Sequence, residues 1–191
     1  GDLNLIENSV KSLLDSGAIQ KIVVTSDSEG YLNSLKGRFS SQIETGEIWL
    51  HLRTIEHARD NSEVDPMLMA LVKEMRQRGM EFESLGLFYP TSPLRTGVHV
   101  KEAVDTFFSE KYQSLLSLET FSDYIWKEED GAISPVNYNP MNRVSRQYHT
   151  VKYFRENKSI YLFYAKNLLK NKSRLTKDPG YYLMSKLVSI D

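Results

Sequence analysis

Leu85-Gly-Leu-Phe-Tyr-Pro-Thr-Ser-Pro-Leu-Arg-Thr96 decides how this chain is read. A short apolar run from Ser84 to Tyr89 ends in a turn with two prolines, several hydroxyls and one arginine, and a helix-patterned segment follows. Pro90 and Pro93 fix their own φ and push the preceding residue out of the α region, so the turn is stiff. Stiff polar loops at the carboxyl ends of buried strands are where open α/β sheets place ligands. The same sequence also serves as a plain connector, and the flanking segments have to separate the two.

Working outward, the pattern alternates between helices and strands. Leu5, Ile6, Val10, Leu13 and Leu14 recur at helical spacing, with Gly17 as the stop. Lys21 to Thr25 is a β-branched run apolar enough for a buried parallel strand. Asp27, just beyond it, reads either as a ligand-binding residue or as a turn and cap residue. Glu47 to Arg53 alternates like a strand near an edge, and Asp65-Pro66 opens a helix with Asp as cap and Pro in the first turn. Val100, Ala103, Val104, Phe107 and Phe108 form the core stripe of the helix after the proline loop. Strands follow at Gln113–Leu118, Ser159–Tyr164 and Tyr181–Met184, with a short helix at Lys166–Lys170. Between them, Tyr124 to Ser134 reads as a hairpin turning at Gly131.

This order predicts a single α/β domain over 1–191, a three-layer α/β/α Rossmann-like fold with a mostly parallel sheet and a hairpin insertion at 121–155. Such sheets normally begin with a central strand carrying a phosphate loop, yet this chain begins with a helix. Neither GxGxxG nor GxxxxGK[ST] occurs anywhere in it.

Composition narrows the chemistry. With no cysteine, disulfides, thiolate metal sites and a cysteine nucleophile are excluded. No apolar run approaches a membrane span, and the expected setting is the cytoplasm without membrane attachment. Net charge is only −1, but eleven Lys/Arg face two acids between Asn137 and Lys186. That asymmetry suits either a solvated basic face or a small phosphate or carboxylate ligand. No dense basic stripe points to nucleic acid.

The segments then converge on a family. Leu87-Phe-Tyr-Pro-Thr-Ser-Pro-Leu-Arg-Thr96 resembles the Pro-Thr-Ser-Pro-Leu-Arg motif of the CMP-sialic acid synthetases, or acylneuraminate cytidylyltransferases. Asn4-Leu-Ile6 with Asp15-Ser-Gly17, and Val23-Val-Thr-Ser-Asp-Ser28, are similar to that family's first helix and second strand. Arg53 and Ser62-Glu-Val-Asp65 resemble its nucleotide-side loop. Arg146-Gln147 with Arg155-Glu-Asn157 and Ile160-Tyr161 resembles its Arg-Gln … Asn-Gly-Ala-Ile-Tyr block, and Tyr182-Leu-Met-Ser185 with Ser189-Ile-Asp191 its terminus.

The resemblance implies a nucleotide-diphospho-sugar transferase fold and Mg²⁺-dependent condensation of CTP with a nine-carbon 2-keto sugar acid, with pyrophosphate leaving. It implies nucleotide contacts from Arg53 and Ser62, catalytic roles for Arg95 and Asp191, and Asp191 as a metal ligand. It places Tyr89, Thr91, Ser92, Arg146, Asn157 and Tyr161 on the sugar-acid side, with Arg146 supplied by a second copy in a homodimer whose arm is the hairpin. Read from residue type alone, Tyr161 suits a core position and Asn157 a turn residue with positive φ. Three departures put the sugar in question and leave sialic, legionaminic and pseudaminic acid types open. Tyr89 stands where the family has Gln, Lys158-Ser159 replaces Gly-Ala, and Ser173-Arg174 lies where the family has an aromatic pair. The family's first strand and triphosphate loop would precede Gly1, and its second metal aspartate would follow Asp191. The sequence is therefore expected to be part of a longer enzyme. A non-catalytic sugar-binding or assembly module of the same fold is the alternative.

Overall fold

A computed structural model describes residues 3–54, 63–143 and 151–189. Helix α1 (Leu5–Ser16) starts at Asn4, whose side-chain oxygen accepts from the Glu7 amide at 2.9 Å. The Glu7 carboxylate accepts from the Asn4 amide in return, which closes a capping box. Gly17 ends the helix at φ +61°, a left-handed position that glycine adopts without a Cβ penalty. Strand β1 (Ile22–Ser26) leads through helices α2 (Glu29–Arg38) and α3 (Ser40–Glu44) to β2 (Ile48–Leu52). The two strands pair in parallel with Ile22 opposite Ile48.

Helix α4 (Val64–Gln77) precedes β3 (Ser84–Phe88), and the proline loop then enters α5 (Gly97–Ser109). The cap of α4 is Glu63 rather than Asp65. Asp65 lies inside the first turn, and its carboxylate accepts from Arg174 instead of from the helix amides. Strand β4 (Ser114–Phe121) runs into a hairpin of β5 (Trp126–Glu129) and β6 (Ala132–Pro135). Asp130 and Gly131 turn it with φ of +53° and +78°, the two left-handed residues that a two-residue turn between right-twisted strands needs. Strand β7 (Tyr153–Tyr164), helix α6 (Ala165–Asn171) and β8 (Gly180–Leu183) complete the order.

Four strands pair in the order β3-β7-β4-β8. The sheet is mixed: β4 and β8 are parallel, and β7 is antiparallel to both β3 and β4. The chain leaves the end of β4 for the hairpin and returns at that same end, so β7 has to run backwards. Three of the four strands still point one way, as the mostly parallel reading requires. β1 and β2 form a separate two-stranded sheet.

Helices cover both faces. Met67, Leu68 and Val72 of α4 and Leu168 of α6 pack with Leu116, Tyr161 and Phe163 on one side. Ala103 and Phe107 of α5 pack with Leu115, Ile160 and Leu162 on the other. Val10 and Leu13 of α1, Leu35 of α2 and Val100 of α5 gather around Ile22 and Ile48. Phe88 packs against these last two clusters and joins them. At Gly97 a Cβ would stand 2.8 Å from the Asp15 carbonyl carbon and the Ser16 amide nitrogen, so α1 and α5 approach backbone to backbone. No helix among the described residues is long and apolar enough to cross a membrane.

Candidate functional site

The proline loop is held from three sides by one buried arginine. Arg95 is 2% exposed, its guanidinium lying 5.4 Å over the Phe88 ring. Nη1 donates to the Tyr89 carbonyl at 2.9 Å and to the Ser159 carbonyl at 2.8 Å, while Nη2 donates to Ser9 Oγ of α1. Asn8 Nδ2 adds a bond to the Pro93 carbonyl at 2.7 Å. Burial lowers the Arg95 pKa to about 10, which still leaves it charged near neutrality. These contacts are those of a brace that fixes the loop against α1 and β7. Arg95, expected as a catalytic residue, is positioned here to shape the site from below. Ser92 is buried in the loop beside it, whereas Thr91 is exposed.

The Ser159 carbonyl belongs to a break in β7. Leu116 pairs with Tyr161 and Leu118 with Glu156, so four residues of β7 stand against one of β4. Lys158 carries the positive φ of this bulge, +55°, and Asn157 does not. Asn157 is buried, and its amide is committed to the bulge. Oδ1 accepts from Ser117 Oγ at 2.5 Å and from the Ser159 amide at 3.3 Å, and Nδ2 donates to Ser189 Oγ at 2.9 Å. The expected sugar-acid contact at Asn157 is thus a buried tie between β4, β7 and the segment after β8.

On the opposite side of the bulge lies a cluster that the sequence only half revealed. Tyr161 is 1% exposed, and its hydroxyl donates to the Glu156 carboxylate. The Tyr89 ring meets it edge-on at 6.1 Å. The guanidinium of Arg174 lies 4.7 Å over the Tyr161 ring, and its Nη1 donates to Asp65 Oδ1 at 2.8 Å. Burial raises the pKa of both tyrosines; the Glu156 bond raises Tyr161 further. Asp65 raises the Arg174 pKa despite the opposing effect of burial. Asp65 and Arg174 are 109 positions apart in sequence. Only the loss of the family's aromatic pair at Ser173-Arg174 signalled that this place had changed.

Tyr89, Thr91, Ser92, Arg95, Asn157 and Tyr161 therefore gather where β3 ends against the β7 bulge. Arg53 does not join them. It sits just past β2 and pairs with Asp27 beyond β1 at 3.2 Å, and its buried Nε has no partner among the described residues. That pair gives Asp27 a partner, while Ser28 caps α2. Ser62, Arg146 and Asp191 lie outside the described residues.

Metal-binding capacity among the described residues is slight, since no group of three or more His, Asp or Glu side chains converges. Glu119 is the nearest to an exception. It is 1% exposed and accepts from Arg155 through Oε1, while Oε2 is buried without a partner among the described residues. Alternation along β4 puts it on the face of Ser117, which connects through Asn157 to Ser189.

Over 118 residues, or 61% of its length, the chain is 31% identical to the N-acylneuraminate cytidylyltransferase of Escherichia coli O18:K1:H7. The chain is similar to the acylneuraminate cytidylyltransferases, as its motifs implied. It spans about a quarter of the length of that curated relative, 25%. No family model matches the chain. Among solved structures, a 4-diphosphocytidyl-2C-methyl-D-erythritol synthase superposes with a TM-score of 0.64 at 11% identity, covering 96% of this chain and 80% of that one. The synthase of that name from Anaerococcus prevotii gives 0.63 at 11% identity, over 100% of this chain and 80% of its own. These likenesses show the fold alone, a Rossmann-like α/β sheet with covering helices.

Proposed function

We propose that the protein carrying this chain is a cytidylyltransferase that condenses CTP with a nonulosonic acid, giving the CMP-sugar and pyrophosphate. The observation that carries this reading is the Pro90–Thr96 loop, locked by Arg95 against the β7 bulge at the end of β3. The similarity to an N-acylneuraminate cytidylyltransferase supports it, and the loop's own residues resemble that family's motif. A rigid floor of this kind serves a reaction whose catalysis is mostly positioning and electrostatics. The anomeric hydroxyl of the sugar acid attacks the α-phosphorus, and the bond to the departing pyrophosphate breaks.

In this reading Tyr89 and Thr91 face the sugar acid, with Ser92, Arg95 and Asn157 setting the backbone beneath it; Tyr161, expected as a contact, is a core residue whose ring backs Tyr89. Arg53 and Ser62 address the nucleotide. Arg146 reaches the sugar acid of a second copy across a homodimer, for which the hairpin supplies exposed apolar side chains in Trp126, Ile133 and Val136. Mg²⁺ would neutralise phosphate charge when bound, and Asp191, the ligand that the family resemblance implies, carries the hard oxygen donor it prefers. Cytoplasmic CTP would supply the nucleotide.

Release of pyrophosphate from CTP tests the proposal, measured on the intact protein with sialic, legionaminic and pseudaminic acids in turn. Turnover with one of them supports it. No release with any sugar acid refutes it and favours a non-catalytic module.

A further inference from the structure

The proline loop ends on Thr96, and Thr96 caps α5. A helix start leaves its first amide N–H groups without intrahelical acceptors. A capping box also satisfies the amide of the cap residue itself, through an acceptor side chain three residues on that is normally Glu or Gln. Here that position holds His99. The Thr96 amide donates to His99 Nδ1 at 3.1 Å, and the Thr96 hydroxyl lies 3.1 Å from the same nitrogen. Thr96 follows Arg95 directly, so this bond fixes the carboxyl end of the loop that Arg95 braces from below.

The bond fixes the state of the ring. An amide N–H only donates, so Nδ1 is the bare nitrogen and the ring proton sits on Nε2. A second proton would land on Nδ1. The hydroxyl contact could then reverse, because the Thr96 oxygen also accepts, but the amide bond could not: two N–H groups would face each other. Histidine takes up such a proton within the physiological pH range, whereas Gln in the same place keeps its acceptor throughout. The charged groups around this turn are engaged elsewhere. On α1, which meets α5 at Gly97, Lys11 pairs with Asp15 at 2.6 Å. Within α5, Lys101 pairs with Asp105 at 2.7 Å, and Glu102 accepts from Tyr182 of β8 at 2.5 Å. On β4 and β7, Glu119 pairs with Arg155 and Lys158 is exposed, while the Arg95 guanidinium is held by Tyr89, Ser159 and Ser9. Among the described residues His99 bonds to Thr96 alone, and no carboxylate is bonded to its ring to hold an added proton.

We propose that His99 is a positioning residue: its neutral Nε2–H form latches the carboxyl end of the Pro90–Thr96 loop to α5, and uptake of a proton at Nδ1 releases that latch. The loop is thereby sensitive to pH at its junction with the helix, while the Arg95 brace is not. The latch stands on the geometry of Thr96 and His99; its bearing on turnover rests on the cytidylyltransferase reading.

The test uses the intact protein labelled with nitrogen-15. The ring nitrogen shifts of His99 should show the Nε2–H form, and the Thr96 amide should lose about three- to tenfold in exchange protection over the same pH range in which the His99 ring titrates. His99→Gln keeps an acceptor that does not titrate, so Thr96 should stay protected across that range. His99→Ala should leave Thr96 at the low level throughout. Phe107, in the buried middle of α5, should stay protected in all three proteins, which separates a local release from loss of the helix. An Nδ1–H ring, a Thr96 amide whose protection ignores the titration of His99, or a His99→Gln variant as unprotected as His99→Ala overturns the proposal. In turnover, kcat/KM for the sugar acid should carry an acid limb that follows His99 in wild type and is missing in His99→Gln. A limb that survives the substitution overturns the role of His99 in the reaction. If no sugar acid turns over, the cytidylyltransferase reading fails, and the amide measurements decide the latch separately.

Discussion

Replacing Arg95 with Met removes the brace and keeps most of the volume. Two backbone acceptors then lose their donor. The Ser159 carbonyl is fully buried within the bulge, and a buried acceptor without a partner costs about 2–3 kcal/mol. The Tyr89 carbonyl is part-buried and reaches water more easily, which puts its cost at about 1 kcal/mol. Against this, the variant no longer buries a cation whose Nε has no partner among the described residues and whose pKa burial has pulled down, a relief of about 1 kcal/mol. The net loss is about 2–3 kcal/mol. With a urea slope of about 2 kcal/mol/M for a domain of this size, the midpoint falls by about 1–1.5 M. Tryptophan fluorescence from Trp49 and Trp126 follows the transition, and amide exchange at Ser159 and Ile160 reports the bulge directly. Arg95→Lys, which reaches a single acceptor, should fall between. Buried charges can be replaced by apolar groups at no cost when their partners find others. A midpoint within about 0.3 M of wild type, with Ser159 and Ile160 still protected, would therefore show that the loop does not depend on Arg95.

Gly97→Ala pushes a methyl against the rigid backbone of Asp15 and Ser16, and about 1–3 kcal/mol should be lost in urea unfolding. Gly37→Ala in α2 meets nothing within 4 Å and should gain about 0.5–1 kcal/mol, an opposite sign from the same chemical change. Alkaline pH gives a further test, because burial and the Glu156 bond raise Tyr161, and burial and the Glu102 bond raise Tyr182. The unfolded chain releases these protons first, near the ordinary tyrosine pKa. The stability they contribute is therefore complete below about pH 10 and is lost as pH rises above it. Unfolding free energies measured from about pH 8 to 11 should fall at the upper end, and less steeply in Tyr161→Phe; identical slopes would remove Tyr161 from the explanation.

What could be read from the residues, and what could not, follows the range of the interactions. Caps and turns are local, so Gly17 and the turn at Gly131 announce themselves within four positions, although Ser28 rather than Asp27 caps α2. Asp65 misleads because its carboxylate is drawn to Arg174, a partner that local pattern does not see. The direction of β7 depends on where the hairpin excursion returns, and periodicity carries no such information. At the bulge, the family's glycine stands at Lys158, and that correspondence already located the left-handed residue that was instead sought at Asn157. A motif marks Arg95 as important without saying that it faces inward. Burial and two carbonyl bonds make it a support for the site.

The most direct test is where the sugar lies. A structure of the intact protein with a CMP-nonulosonic acid should place the sugar acid on the Pro90–Thr96 loop, beside Tyr89. A sugar bound elsewhere, with the proline loop remote from the ligand, would contradict the account.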